Sequence, residues 1–139
     1  MPVLNGIPVI LPLALDSLLL ANRIFRPRRG SFRALAAIRS VIEDKDGLVH
    51  HRLWGVPMTF DLTQAVECNM LLDRYEVPQR RLVAALLRPG DTFLDIGAYI
   101  GWYTAMAACY VGKTGRVITI EPNPALHRRL QDMLDGSPY

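Results

Sequence analysis

Asp95, Gly97, Gly101 and Glu121 are the residues of this 139-residue chain whose types and spacing could do chemistry. The first three lie in Asp95-Ile96-Gly97-Ala98-Tyr99-Ile100-Gly101, at the end of a short apolar run, and Glu121 follows Gly101 by 20 residues. A glycine turn between a strand and a helix lets a ligand approach the backbone closely, with helix N–H groups aimed at it. An acid at the tip of the next strand can accept both hydroxyls of a ribose. Each residue also has a plainer job: Asp95 can cap a helix, the glycines can merely shape a turn, and Glu121 alone decides nothing. The joint spacing is what points to a nucleoside-containing cofactor held by Asp95, Gly97, Ala98, Tyr99, Gly101 and Glu121.

The same residues discriminate between cofactors. A dinucleotide fingerprint is G-x-G-x-x-G, which brings a pyrophosphate close to the backbone. That spacing is absent here, and an acid at the end of the first strand would repel a pyrophosphate. It suits instead a cofactor with a cationic amino-acid end, such as S-adenosylmethionine. A nicotinamide-dependent oxidoreductase is the weaker alternative.

These residues need elements to position them. Thr92–Ile96 is a short, mostly apolar run, as expected of a strand buried on both faces. Trp102–Tyr110 reads as an apolar helix, Gly112–Gly115 as a loop, and Arg116–Ile120 as a second strand ending at Glu121. Pro124–Leu134 restarts a helix with Leu126, Leu130, Met133 and Leu134 on its inner side. The order is β-α-β-α, which implies parallel strands. Upstream, Pro78 opens a helix to Leu87 with Leu82, Val83, Leu86 and Leu87 as its apolar stripe, stopped by Arg88-Pro89-Gly90. Leu48–Trp54 and Val56–Leu62 read as a hairpin around Gly55, after a turn at Glu43–Gly47. His50 and His51 are adjacent, so on a strand they face opposite ways and make no chelating pair. Ser31–Ile42 reads as a short helix with Leu35, Ile38, Val41 and Ile42 on one face.

Two stretches carry a family resemblance. FLDIGAYIGWYT from Phe93 and VGKTGRVITIEPNP from Val111 resemble the first two motifs of class I S-adenosylmethionine-dependent methyltransferases, and more narrowly those of the FkbM family. Tyr75-Glu76, followed by a helix ending in Arg88-Pro89-Gly90-Asp91, matches that family's lead-in. The resemblance spans roughly Leu48 to Leu134. It implies an α/β fold, a Rossmann-like doubly wound parallel sheet of the class I methyltransferase type, with S-adenosylmethionine as cofactor. It also implies O-methylation of a small-molecule acceptor, a sugar or polyketide hydroxyl. By the same resemblance, Asp95, Gly97 and Gly101 line the methionine end of the cofactor and Glu121 holds its ribose. Tyr99 departs from the pattern: the family has Asn or Gly there, residues that tolerate positive φ, and Tyr would be strained. No catalytic base stands out, and His127, on the last helix, reads as a surface residue.

Length and composition bound the rest. Half of the residues are hydrophobic and 21% are charged, enough to bury a core. Sixteen Lys and Arg against 13 Asp and Glu give +3, too mild for a nucleic-acid partner. Cys68 and Cys109 form no CxxC pair and no cluster with histidine, so neither a disulfide framework nor a metal site is expected. Residues 1–47 read as an apolar, then basic, helical extension, and 48–139 as the N-terminal portion of a methyltransferase domain. Pro8 and Pro12 interrupt the apolar run from Val3 to Asn22, and no basic region precedes it, so neither a membrane span nor a secretory signal fits. A cytoplasmic protein is expected. Arg23, Arg26, Arg28, Arg29, Arg33 and Arg39 follow the run, an arrangement that could rest Leu13–Ile24 on a membrane surface. The favoured reading is an amphipathic helix packed on protein.

A typical sheet has about 5–6 strands, and Asp91–Tyr139 supplies two strands and two helices. The expectation is a truncated or split methyltransferase, able to associate with a complementing C-terminal fragment. The alternative is a catalytically inactive remnant or interaction module that keeps the first half of the fold.

Overall fold

The computed structural model describes residues 3–4, 7–8, 15–20, 33, 35–37, 39, 43–44 and 47–139. Its strands are β1 (Val3–Leu4), β2 (Ile7–Pro8), β3 (Leu48–Leu53), β4 (Val56–Asp61), β5 (Thr92–Ile96) and β6 (Arg116–Ile120). Its helices are α1 (Ala65–Leu71), α2 (Val77–Leu86), α3 (Trp102–Val111) and α4 (Pro124–Asp135). The described strands pair two by two, β1 with β2, β3 with β4 and β5 with β6. The chain divides into two compact units, residues 1–49 with 60–75, and residues 50–59 with 76–139.

In the first unit, residues 15–20 and 33, 35–37 and 39 are helical, with Leu15 and Leu35 buried. The rest of Leu13–Ile24, with Arg23, Arg26, Arg28 and Arg29, lies outside the described residues, as do Ile38, Val41 and Ile42. Among the described residues no helix is long and apolar enough to cross a membrane. Asp44 builds the turn expected before β3: its side chain accepts the Leu48 N–H at 2.9 Å and its carbonyl accepts that of Gly47. Glu67, fully buried on α1, accepts the Asp61 N–H at 2.7 Å. Cys68 and Cys109 are free thiols.

The hairpin of β3 and β4 turns through Trp54 and Gly55, both at positive φ (51° and 80°). Two central residues at positive φ give the turn twist that matches paired strands. Val56, Met58 and Phe60 are buried and alternate with less buried neighbours, the period of a half-buried strand. In the second unit the closed end of this hairpin is held by α4 and the segment after it. The Arg129 guanidinium donates to the Thr59 carbonyl at 2.7 Å, and the Tyr139 hydroxyl donates to the Trp54 carbonyl at 3.0 Å.

The second unit carries the expected β-α-β-α order. β5 and β6 are parallel, with Leu94 opposite Ile118, Asp95 opposite Thr119 and Ile96 opposite Ile120. α3 packs on one face of this pair. Its side chains Trp102, Ala105, Met106, Ala107 and Val111 are buried, and three small residues at 105, 107 and 108 let it approach closely. The fold is thus of the α/β class read from the sequence.

Three burial expectations are corrected. β5 is not buried on both faces: Leu94 and Ile96 are 52% and 72% exposed, beside Ile118 and Ile120 at 43% and 49%. Alternate side chains of a strand face opposite ways, and among the described residues α3 covers only one side of the pair. Leu82 and Leu86 of the α2 stripe are exposed, and no residue of α2 is buried. On α4, Leu130 and Met133 are buried as expected, but Leu134 is turned to solvent. A step of one residue moves a helical side chain by 100°, past the edge of the buried stripe.

Candidate functional site

The C-terminal ends of β5 and β6 are joined by the loop from Gly97 to Gly101. The N–H groups of Gly97 and Ala98 both donate to the Ile120 carbonyl, at 2.8 and 3.2 Å. The Gly101 N–H donates to the Ala98 carbonyl at 2.8 Å, closing the turn, and the Gly101 carbonyl starts the helical ladder of α3 by accepting from Ala105. Gly101 is the N-cap of α3, at φ 83°, with no side chain capping the helix.

Glu121, just past β6, clasps this loop. One carboxylate oxygen accepts the Tyr99 N–H at 2.8 Å, and the other accepts the Asn123 N–H at 2.8 Å. A carboxylate offers about four lone-pair sites, so these two bonds leave capacity for two further donors. The motif Glu121-Pro122-Asn123-Pro124 therefore has a structural reading too. Asn123 caps α4 by accepting the Ala125 N–H at 2.9 Å, and Pro124 occupies the first helical position, where it loses no hydrogen bond.

Asp95 faces α3. It is 9% exposed and accepts the Thr104 hydroxyl at 2.6 Å, which in turn lies 3.1 Å from the Thr119 hydroxyl. Burial pushes its carboxyl above the usual carboxylate range, the Thr104 hydroxyl opposes that shift, and the charge of Glu121 adds to it. Spacing alone gave no sign of this: Thr104 stands nine residues along, on another element.

Tyr99 has φ 56°, in the left-handed region expected from its departure from Asn or Gly. Its backbone is held there by Glu121. A left-handed conformation costs a residue with a bulky side chain about 1–2 kcal/mol. Tyr99→Asn is expected to raise unfolding stability by about 0.5–1 kcal/mol, read from the urea midpoint at constant slope. A lower midpoint would show that the tyrosine ring contributes more than the strain removes.

The arrangement fits a nucleoside cofactor on two counts. A Cβ built on Gly97, at φ 77°, meets nothing within 4 Å, so the loop fronts open space there. Beside that space stands a carboxylate with spare lone pairs. Gly97, Ala98, Tyr99, Gly101 and Glu121 are thus brought together, with Asp95 turned inward from them. His127 is exposed on α4, as expected. Among the described residues no three His, Cys, Asp or Glu side chains converge on a point that could hold a metal.

Residues that spacing did not single out also border the loop. The Tyr103 hydroxyl donates to Glu76 at 2.7 Å, and the Arg80 guanidinium carbon lies 6.0 Å from the centre of a Trp102 ring. Trp102 in turn meets Trp54 edge to face at 4.8 Å. Only the Tyr75-Glu76 lead-in hinted at the first of these contacts.

Comparison with known proteins places this region in context. The family model for protein-L-isoaspartate(D-aspartate) O-methyltransferase matches residues 77–137. Protein-L-isoaspartate O-methyltransferase 2 of Archaeoglobus fulgidus is 42% identical over 53 residues, covering 38% of this chain and 24% of the relative. The Methanococcus aeolicus protein-L-isoaspartate O-methyltransferase matches to the same extent. That of Ignicoccus hospitalis is 41% identical over 56 residues, 40% of this chain and 26% of its own. The matched stretch spans about a quarter of the length of these relatives. No solved structure matches the chain significantly. From α2 to the segment after α4 the chain is similar to S-adenosylmethionine-dependent methyltransferases, and the branch that matches is the isoaspartate one, not FkbM.

Proposed function

We propose that the loop from Asp95 to Gly101 and the carboxylate of Glu121 form the S-adenosylmethionine site of a class I methyltransferase. The single observation that carries this reading is the junction of the two motifs. Glu121 holds the strained Tyr99 backbone while keeping lone pairs for two hydroxyls, beside the open front of Gly97. The glycine loop and the N-terminus of α3 would receive the methionine end, and Glu121 the ribose. When bound, the cofactor supplies a methyl on a sulfonium, passed in line to an acceptor oxygen. This chain's own share is positioning: a rigid loop, a fixed ribose anchor and a helix N-terminus.

For the acceptor, the relatives' names support the carboxyl of an isoaspartyl residue in protein. The second reading is a sugar or polyketide hydroxyl. It is carried by Glu121-Pro122-Asn123-Pro124 and by the Tyr75-Glu76 lead-in, which follow the FkbM wording. Supplying an isoaspartyl peptide or a sugar with labelled S-adenosylmethionine separates the two by which one gains the label.

Calorimetric titration tests the cofactor assignment itself. S-adenosylhomocysteine should bind at one site per chain and NADH should give no heat. Binding of NADH alone would make this an oxidoreductase site, and binding of neither would favour an inactive interaction module.

A further inference from the structure

A chain of hydrogen bonds joins three elements beneath the loop from Gly97 to Gly101. Asp95 on β5 stands opposite Thr119 on β6, and Thr104, in the first turn of α3, bonds to both. A hydroxyl has one hydrogen to give. Thr104, 1% exposed, gives its hydrogen to Asp95 Oδ2 at 2.6 Å, so across the 3.1 Å to the Thr119 hydroxyl it must accept. The chain therefore runs one way, from Thr119 through Thr104 to the carboxylate, and each bond polarises the next. Burial pushes the Asp95 carboxyl up, and the Thr104 hydroxyl and N–H both oppose that rise. A charged carboxylate thus serves the start of α3, whose N-cap, Gly101, has no side chain to satisfy the first helical N–H groups.

The loop is anchored to a different element at each end. Gly97 and Ala98 donate to the Ile120 carbonyl and Tyr99 to Glu121, which fixes the first part of the loop to the end of β6. The far end, Gly101, is the N-cap of α3 and goes where that helix goes. Apolar packing holds α3 on the strands through Ala105, Met106 and Ala107, all buried. Such contact is non-directional and tolerates a small slide along the strands. A hydrogen bond weakens steeply off its axis, so Thr104 and Thr119 fix what packing leaves loose.

Resting on the cofactor assignment above, we infer that Thr104 is a positioning residue for the cofactor site, with Thr119 as its second support. Thr104 ties the first turn of α3 to β5 and β6, and so sets where Gly101 stands relative to Glu121. It touches no ligand itself, because its hydroxyl is buried and engaged by Asp95 and Thr119.

Paired substitutions test this by calorimetry with S-adenosylhomocysteine. Thr104→Val keeps the shape and removes both bonds, whereas Thr104→Ser keeps the hydroxyl. The valine variant should bind about tenfold more weakly, the worth of a hydrogen bond to a charged group, and the serine variant within about twofold of native. Thr119→Val removes only the outer link, at a half-buried position, and should weaken binding about threefold. It carries the test if Thr104→Val does not fold. In a variant that is fully folded without urea, a purely structural contribution moves the urea midpoint and leaves affinity where it was. Unchanged affinity in the folded valine variants, or a loss at Thr104 that serine does not repair, would therefore overturn the inference. Amide spectra of ligand-free Thr119→Val give a second answer that needs no cofactor. Gly97, Ala98, Tyr99 and Gly101 should all move from their native positions, and amides that stay in place overturn the inference too. A native chain that binds no S-adenosylhomocysteine, while those amides do move, defeats the cofactor assignment and leaves the support of the loop standing.

Discussion

Glu121→Ala is expected to weaken S-adenosylhomocysteine binding about a hundredfold, because it removes two functions at once. The carboxylate is the proposed partner of two ribose hydroxyls, and hydrogen bonds to a charged group contribute about 1.5–3 kcal/mol each. It also fixes the Tyr99 backbone at φ 56°, and without that bond the loop must be reordered each time a ligand binds. A loss of about 3 kcal/mol corresponds to a hundredfold change in affinity. The effect on stability should be smaller, about 1–2 kcal/mol, since the Asn123 N–H is exposed and water can replace its partner. Glu121→Gln should fall between, keeping an acceptor for Tyr99 but not the charge. Calorimetry with each variant reads the difference, and unchanged affinity in Glu121→Ala would show that Glu121 makes no ribose contact.

The second large effect separates two glycines that look alike in the sequence. Gly97 and Gly101 both have positive φ, at 77° and 83°. A Cβ on Gly97 meets nothing within 4 Å, whereas one on Gly101 lies 2.8 Å from Leu130 Cδ1 and from Met133 Cε and Sδ. Those side chains are buried, so they cannot simply swing into solvent. Gly101→Val combines a β-branched residue in the left-handed region with overpacking between α3 and α4. The expected loss is about 3–5 kcal/mol, a large share of what a small domain has. Gly97→Ala should cost about 1–2 kcal/mol, the backbone term alone. Binding should show the reverse order, since a methyl on Gly97 intrudes on the open space proposed to receive the cofactor. Urea unfolding and S-adenosylhomocysteine titration of the two variants measure both orders. Equal stability losses would mean that α4 does not seat against Gly101.

The elements of the β-α-β-α unit were legible because their boundaries are written in glycine, proline and asparagine. Arg116–Ile120 and Thr92–Ile96 fall where the apolar runs end, and Asn123-Pro124 marks the start of α4. Tyr99 was legible as a strained residue for the same reason: a backbone need for positive φ met a side chain that resists it. Burial was harder to read. Leu82, Leu86, Leu94 and Ile96 carry the pattern of covered positions, yet periodicity states which residues share a face and not whether another element lies on it. The Asp95–Thr104–Thr119 chain and the Glu76–Tyr103 contact join residues from different elements, set by how helices lie on the strands. No spacing rule reaches that distance. The motif wording also pointed to FkbM where the matching family is the isoaspartate one. Residues that build a shared cofactor loop are common to many acceptor classes, so they identify the loop better than the branch.

The loop from Gly97 to Gly101, clasped by Glu121, is the proposed seat of an S-adenosyl cofactor. Titration of the 15N-labelled chain with S-adenosylhomocysteine, followed by amide NMR, tests it most directly. The largest shifts are expected on Gly97, Ala98, Tyr99, Gly101, Glu121 and Asn123, with His50, His51 and the amides of α1 unmoved. Saturable shifts centred elsewhere, or none at millimolar ligand, would contradict it.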